Sequence, residues 1–171
     1  MKNYKVYFAA PWFTEAQEER EERLKKKLRE LGFDVFSPKE DCNITGTFAD
    51  PNVQKKVFDA NISNIDNADI LFAVTDGKLG TCTELDKYGS MINAIDSGTM
   101  IESGYAYNNK RKTGKPYIVY YAETLGSGKF NLMLAQSSDI VITKYEDMDK
   151  LPEMLEEIIS GKSIEYKGMI E

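Results

Sequence analysis

Asp69-Ile70-Leu71-Phe72-Ala73-Val74 is an apolar run with one carboxylate at its head and a polar Thr75 after it. The run is too short for a buried helix, and its aromatic and β-branched content suits a strand. Successive strand side chains point to opposite faces, so a run without polar alternation belongs to a strand covered on both sides. That is a strand inside a parallel sheet, with helices above and below it.

The flanking sequence supplies those helices and further strands. Upstream, Asp50-Pro51 is a helix start, with Asp as cap and Pro in the first turn, where a missing N–H costs nothing. Val53, Val57, Ala60, Ile62 and Ile65 keep roughly helical spacing to Asn67. Further upstream, Lys5-Val-Tyr-Phe-Ala-Ala10 reads as a buried first strand bounded by Pro11. Thr14-Glu-Ala-Gln17 has the capping-box pattern for a helix running to about Leu31, with Gly32 just past its end. Asp34-Val-Phe36 is a short second strand closed by Ser37-Pro38, and residues 39–49 show no period.

Downstream of the opening run, Thr75 to Ile95 is longer than an ordinary connection and reads as a lid or as the carrier of a small helix. A helix after Gly98 ends near Lys112, before Gly114-Lys-Pro116. Tyr117-Ile-Val-Tyr-Tyr121 is a fourth strand, Asp139-Ile-Val-Ile142 a fifth, and Met148 to Ser160 a last amphipathic helix. The alternation predicts one α/β domain over residues 1–171. Its fold is a flavodoxin-like or Rossmann-like sandwich, a five-stranded parallel sheet covered by helices on both faces.

Composition narrows the chemistry. The net charge of −6 argues against a nucleic acid polymer as partner, because phosphate binding needs clustered Lys and Arg. The basic residues between Glu18 and Arg29 alternate with Glu and read as a solvated, ion-paired helix face. The chain has no histidine, which removes Ser-His-Asp and Cys-His catalysis and most zinc sites. Cys42 and Cys82 belong to no metal or redox motif, and a reducing cytoplasm is the simpler expectation. No cofactor or metal is expected. Val6 to Phe13 is interrupted by Pro11 and followed by dense charge, so it reads as a strand and not as a signal peptide. No segment is long enough to span a membrane. Gly126-Ser-Gly-Lys129 fails as a phosphate loop, since Glu123 stands where the first Gly would be and Phe follows the Lys.

The candidate chemistry lies in Asp96-Ser-Gly-Thr-Met-Ile-Glu102-Ser-Gly-Tyr-Ala-Tyr107. Asp96 stands at the loop end and Glu102 in the first helical turn, at the sheet edge where α/β proteins bind ligands. Two readings stand together. Thr99-Met-Ile-Glu102 also fits a capping box, and Asp96 or Ser97 an ordinary cap; alternatively, Glu102 is a catalytic carboxylate.

These residues resemble the nucleoside 2′-deoxyribosyltransferase family. Val-Tyr7-Phe-Ala-Ala-Pro-Trp12-Phe13-Thr is similar to its opening strand and aromatic loop. Asp96 through Glu102 resembles the loop and helix in which an Asp precedes the nucleophilic Glu. Phe130-Asn131-Leu-Met133 resembles the segment that a neighbouring subunit lends to the site, and Asn67-Ala-Asp69 matches the entry to the third strand. The likeness runs from about Val6 to Ile142.

The resemblance implies that Glu102 attacks the anomeric carbon of a 2′-deoxynucleoside, that Tyr7 tunes Glu102, and that Asp96 holds sugar or base. It implies that Trp12 and Phe13 pack around the base, and that Asn131 and Met133 come from the partner subunit, Asn131 near the 5′ end of the sugar. Self-association, as dimers or hexamers built from dimers, follows from the same pattern. The chemistry suits the residue types, since a carboxylate nucleophile can open a glycosidic bond without histidine or metal. The plain alternatives are a core Tyr7, a Trp12–Phe13 lid over the core, and a turn-forming Asn131.

One departure concerns the leaving group. Many relatives carry an Asp, thought to protonate the base, where this chain has Asn61; an amide has no such proton to give. Asp59 points elsewhere on the helix, which leaves Asp96 or water as the proton source. Two other functions fit the same fold. One is a nucleoside or deoxynucleotide N-glycoside hydrolase, although nucleotide-cleaving relatives place a Gly/Ser/Arg-rich loop where this chain has Pro11-Trp-Phe13. The other is a non-catalytic nucleoside-binding protein.

Overall fold

The structure is a computed structural model that describes residues 3–75, 95–123 and 130–170. Five parallel strands form one sheet: β1 (Lys5–Ala9), β2 (Asp34–Phe36), β3 (Ile70–Val74), β4 (Tyr117–Tyr121) and β5 (Ile140–Ile142). Their order is β2-β1-β3-β4-β5, the flavodoxin-like order. The chain reverses direction across the sheet between β1 and β3, and a crevice for ligands opens at such a switch point. Register is set by pairs such as Tyr7–Leu71 and Phe72–Val119.

Every residue of β3 is buried, as the run without polar alternation requires. Its even and odd positions feed two separate cores. Val6, Phe8, Ile70, Phe72, Val74 and Val119 face α1 (Glu15–Glu30) and α6 (Leu151–Ile159), through Leu24, Leu28, Leu151 and Leu155. Tyr7, Ala9, Leu71, Ala73, Ile118 and Tyr120 face α3 (Pro51–Asp66), α4 (Ser97–Thr113) and α5 (Leu132–Ser137), through Ile65, Ala106 and Leu134. At about 25 cal/mol per Å² of apolar area, each large side chain so buried contributes roughly 1.5–3 kcal/mol before chain entropy is counted.

Local signals explain the helix ends. Thr14 and Gln17 form the reciprocal capping box that opens α1, and Gly32 follows at φ +88°, the left-handed conformation that stops it. Asp50 caps α3 through the Asn52 N–H, with Pro51 first in the helix. Gly114, in the left-handed conformation, ends α4.

The structure departs from expectation in several places. Residues 38–41 form a short helix, α2 (Pro38–Asp41), which is too brief for a periodic signal. A 3-10 turn over Tyr145–Lys150 precedes α6, so the final helix starts later than Met148. The charged stretch of α1 is ion-paired but only partly solvated. Lys25 and Glu21 are fully buried, with the Lys25 ammonium bonded to Glu21, Glu22 and Glu40, and the Ser37 hydroxyl donating to Glu21. The ladder of Glu and Lys therefore seats α2 on α1, a use of charge that helical spacing does not reveal. The proposed lid between Thr75 and Ile95, Cys82 and the Gly126-Ser-Gly-Lys129 motif fall outside the described residues.

Among the described residues, no helix is long and apolar enough to cross a membrane.

Candidate active site

Three elements meet on the α3/α4 face of the sheet, each through one polar side chain. β1 contributes Tyr7, whose ring is buried and stacks on Phe36 of β2 at 5.7 Å between centroids. α4 contributes Glu102, and the Tyr7 hydroxyl donates to its Oε1 at 2.6 Å. α3 contributes Asn61, whose Nδ2 lies 3.5 Å from the same Oε1, the long limit of a hydrogen bond. Behind Asn61, the half-buried Cys42 thiol stands 4.0 Å from its Oδ1. Tyr7 and Glu102 are 95 residues apart in sequence.

The environment of Glu102 is unusual for a carboxylate. Burial, opposed in part by the Tyr7 hydroxyl and reinforced by the negative charge of Asp96, pushes its pKa up to about 7. Burial and the adjacent carboxylate push the Tyr7 phenol well above its ordinary value, so it remains a donor at any physiological pH. Glu102 is thus a poised group, held by one short donor and interconverting between acid and carboxylate near neutrality.

Asp96 does a different job locally. α4 starts at Ser97, earlier than expected, and Asp96 is its N-cap: Oδ2 accepts from the Thr99 N–H at 2.8 Å and from its hydroxyl at 3.1 Å. The ordinary-cap reading of Asp96 therefore holds geometrically, and Asp96 also acts on Glu102 through its charge. The capping-box reading of Thr99 and Glu102 does not hold. With the cap at Asp96, Glu102 sits in the second turn and faces Tyr7 instead of the backbone behind it.

The remaining candidates make local contacts of their own. Trp12 is half-buried and stacks against Phe13 at 5.8 Å, while Phe13 is 70% exposed. The Phe13 N–H donates to Gln17 of the α1 capping box. Asn131 caps α5, its Oδ1 accepting from the Met133 N–H at 2.9 Å, and Met133 is 75% exposed. Within one chain, neither Asn131 nor Met133 hydrogen-bonds to the Tyr7–Glu102 pair. Asp59 pairs with Lys55 on the outer side of α3, away from the site. Phe36 and Cys42 complete the surroundings, and nothing in their local sequence marks them; both arrive by way of β2 and α2. Among the described residues, no group of His, Cys, Asp and Glu is arranged to hold a metal ion.

Known proteins carry the same arrangement of elements. The 2-deoxyribosyltransferase of the psychrotolerant bacterium Bacillus psychrosaccharolyticus is similar over 85% of this chain and 90% of its own, with 26% identity and a TM-score of 0.65. A conserved protein from Enterococcus faecalis V583 is similar over 90% and 98%, at 22% identity and a TM-score of 0.63. The CMP N-glycosidase of Clostridium botulinum shares the fold over 87% and 98%, at 20% identity and a TM-score of 0.52. No curated protein sequence matches. The family model for nucleoside 2-deoxyribosyltransferase matches residues 6–136, a span that runs from β1 through α5 and takes in Tyr7, Asn61, Asp96, Glu102 and Asn131. Most of the chain, and all of the cluster around Glu102, therefore lies inside that match, and the protein belongs to the nucleoside 2-deoxyribosyltransferase family.

Proposed function

We propose that this protein transfers the 2-deoxyribosyl group of a 2′-deoxynucleoside to another purine or pyrimidine base, in nucleoside salvage, through a covalent ester on Glu102. The observation that carries the reading is the 2.6 Å bond from Tyr7 to a Glu102 carboxyl poised near neutrality, within a span that matches the family. The ionised Glu102 attacks C1′ as the glycosidic bond breaks, and the bonding pair leaves with the base, which takes up a proton. A second base then attacks C1′ and expels the carboxylate. The Tyr7 hydroxyl holds one lone pair of Oε1 in place, which directs the carboxylate without a metal. Asn61 donates to the carboxylate or the substrate and supplies no proton, which leaves that task to Asp96 or water. Trp12 and Phe13 offer aromatic faces to the base.

Self-association completes the site in this reading. Leu132 and Met133, adjacent on α5, are 48% and 75% exposed and offer apolar surface that a second copy of the chain would cover. Asn131, beside them, is then presented to a partner's sugar site.

The test is base exchange: deoxyinosine with free adenine, resolved by chromatography, with Glu102→Ala alongside. Deoxyadenosine from the wild type and none from the variant is the expected result. Free hypoxanthine without deoxyadenosine, across a panel of acceptor bases, would replace transfer by hydrolysis, with water in the place of the second base. Nucleoside binding without turnover, unaltered in the variant, would reduce the protein to a binding module.

A further inference from the structure

The C-terminal tail makes contacts that neither the sheet nor the catalytic cluster requires. After α6 it passes from one face of the molecule to the other. Ile164 packs on the core beneath α1 and α6, and Tyr166 on the core beneath α3, α4 and α5. It then runs parallel to the chain at Phe130. The Phe130 N–H donates to the Met169 carbonyl at 2.8 Å, and Phe130 and Ile170 form a β-bridge. The Phe130 ring, itself buried, lies 5.3 Å from the ring of Tyr166 and 6.3 Å from that of Tyr120. Gly168 crosses closely over Tyr166: a Cβ there would lie 2.0 Å from the phenol oxygen and 2.2 Å from Cζ, so a side chain cannot be added without displacing the ring or the tail.

Phe130 immediately precedes Asn131, the cap of α5. That helix has six residues, of which only Leu134 is buried. A helix so short does not hold itself together in water, so its position is fixed by what anchors its two ends. At the N-terminal end the anchor is Phe130, clamped between Tyr120 and the tail.

We propose that residues 163–170 are a strap that positions the Asn131–Met133 segment, with Tyr166 and Gly168 as its positioning residues. The functional part of this inference rests on Asn131 being a substrate-binding group, as proposed above. The strap works through packing and one backbone hydrogen bond, so the ring of Tyr166 matters and its hydroxyl does not.

The experiment compares wild type, a chain ending at Lys162, Tyr166→Ala, Tyr166→Phe and Gly168→Val by amide hydrogen exchange and by steady-state base exchange. In the truncated chain, Tyr166→Ala and Gly168→Val, peptides over residues 130–137 exchange faster by about ten-fold or more, while peptides over β3 keep their protection. The KM for the deoxynucleoside rises by about ten-fold with a smaller change in kcat, as expected for a displaced binding group. Tyr166→Phe behaves as wild type. Unchanged protection over 130–137 in the truncated chain overturns the strap, whether or not the protein turns over. A loosened segment with unaltered KM overturns its positioning role. If the wild type has no turnover, the function proposed above fails instead, and hydrogen exchange alone decides the strap.

Discussion

Glu102 has two opposing influences on it, and each can be removed by one substitution. Burial and Asp96 raise its pKa to about 7, while the Tyr7 hydroxyl lowers it. A nucleophilic carboxylate must be ionised, so kcat/KM for base transfer is expected to rise with pH through about 7 and to level off above it. Tyr7→Phe removes the lowering influence, and the same limb should move to higher pH. The rate on the plateau should fall by about 10- to 100-fold, the range of a lost hydrogen bond to a charged group. A pH–rate profile of both proteins checks this; an unshifted limb would detach Tyr7 from Glu102.

The raised pKa also has a sign for stability. Below pH 4.5 the folded and unfolded chains both hold the Glu102 proton, and between 4.5 and about 7 only the folded chain does. Folding is therefore favoured by this group at low pH, and that contribution is lost as pH rises through the folded pKa. Glu102→Gln, which keeps an acceptor for Tyr7, should match the wild type in Tm near pH 4. It should melt a few degrees higher at pH 8. Equal melting temperatures at pH 8 would mean that Glu102 is not held in an unfavourable environment.

At the scale of the element, α4 couples structure to chemistry through its first residues. Asp96 accepts from the Thr99 N–H and hydroxyl, and it also adds negative charge near Glu102. Asn caps a helix about as well as Asp, whereas Ala loses about 1 kcal/mol at a cap. Asp96→Asn should therefore keep the wild-type Tm and move the acidic limb of the pH–rate profile to lower pH. Asp96→Ala should shift the limb similarly and also lower the Tm. Calorimetry beside the pH profile separates the two; a limb that stays put in both would leave Asp96 with capping alone. α1 shows how far an element's periodicity misleads about charge. Its Glu and Lys suggest a wet face, yet Lys25 is fully buried because α2 brings Glu40 to it.

At the scale of the whole molecule, the Tyr7–Glu102 pair forms within one chain, while Asn131 and Met133 make no hydrogen bond to it. In the assembly proposed above, a second copy covers the exposed Leu132 and Met133. Met133→Lys should dissociate that assembly and reduce kcat/KM by about ten-fold or more, since a buried ammonium without a partner is strongly disfavoured. The fold should be retained, because Met133 contributes nothing to either core. Sedimentation and circular dichroism check both points. A wild-type chain that is monomeric and fully active at assay concentration would overturn the shared site.

Much of this architecture follows from local sequence. A fully apolar β3, the capping box at Thr14, Asp50-Pro51 and the glycines after α1 and α4 each act within a turn or a strand. Short-range patterns therefore suffice to order the elements into a doubly covered parallel sheet. The family likeness of Tyr7, Glu102 and Asn131 was also legible, because it lies in short contiguous motifs. The tertiary structure decided which of two local roles each carboxylate takes. Capping by Thr99 and capping by Asp96 are equally open to the sequence; the partner at Tyr7, 95 residues away, turns Glu102 to the sheet and leaves the cap to Asp96. The same holds for Cys42 beside Asn61, Lys25 beneath α2, and Tyr166 against Phe130. Each depends on two distant segments arriving at one place, and that is fixed by how the helices pack on the sheet, for which no local pattern exists.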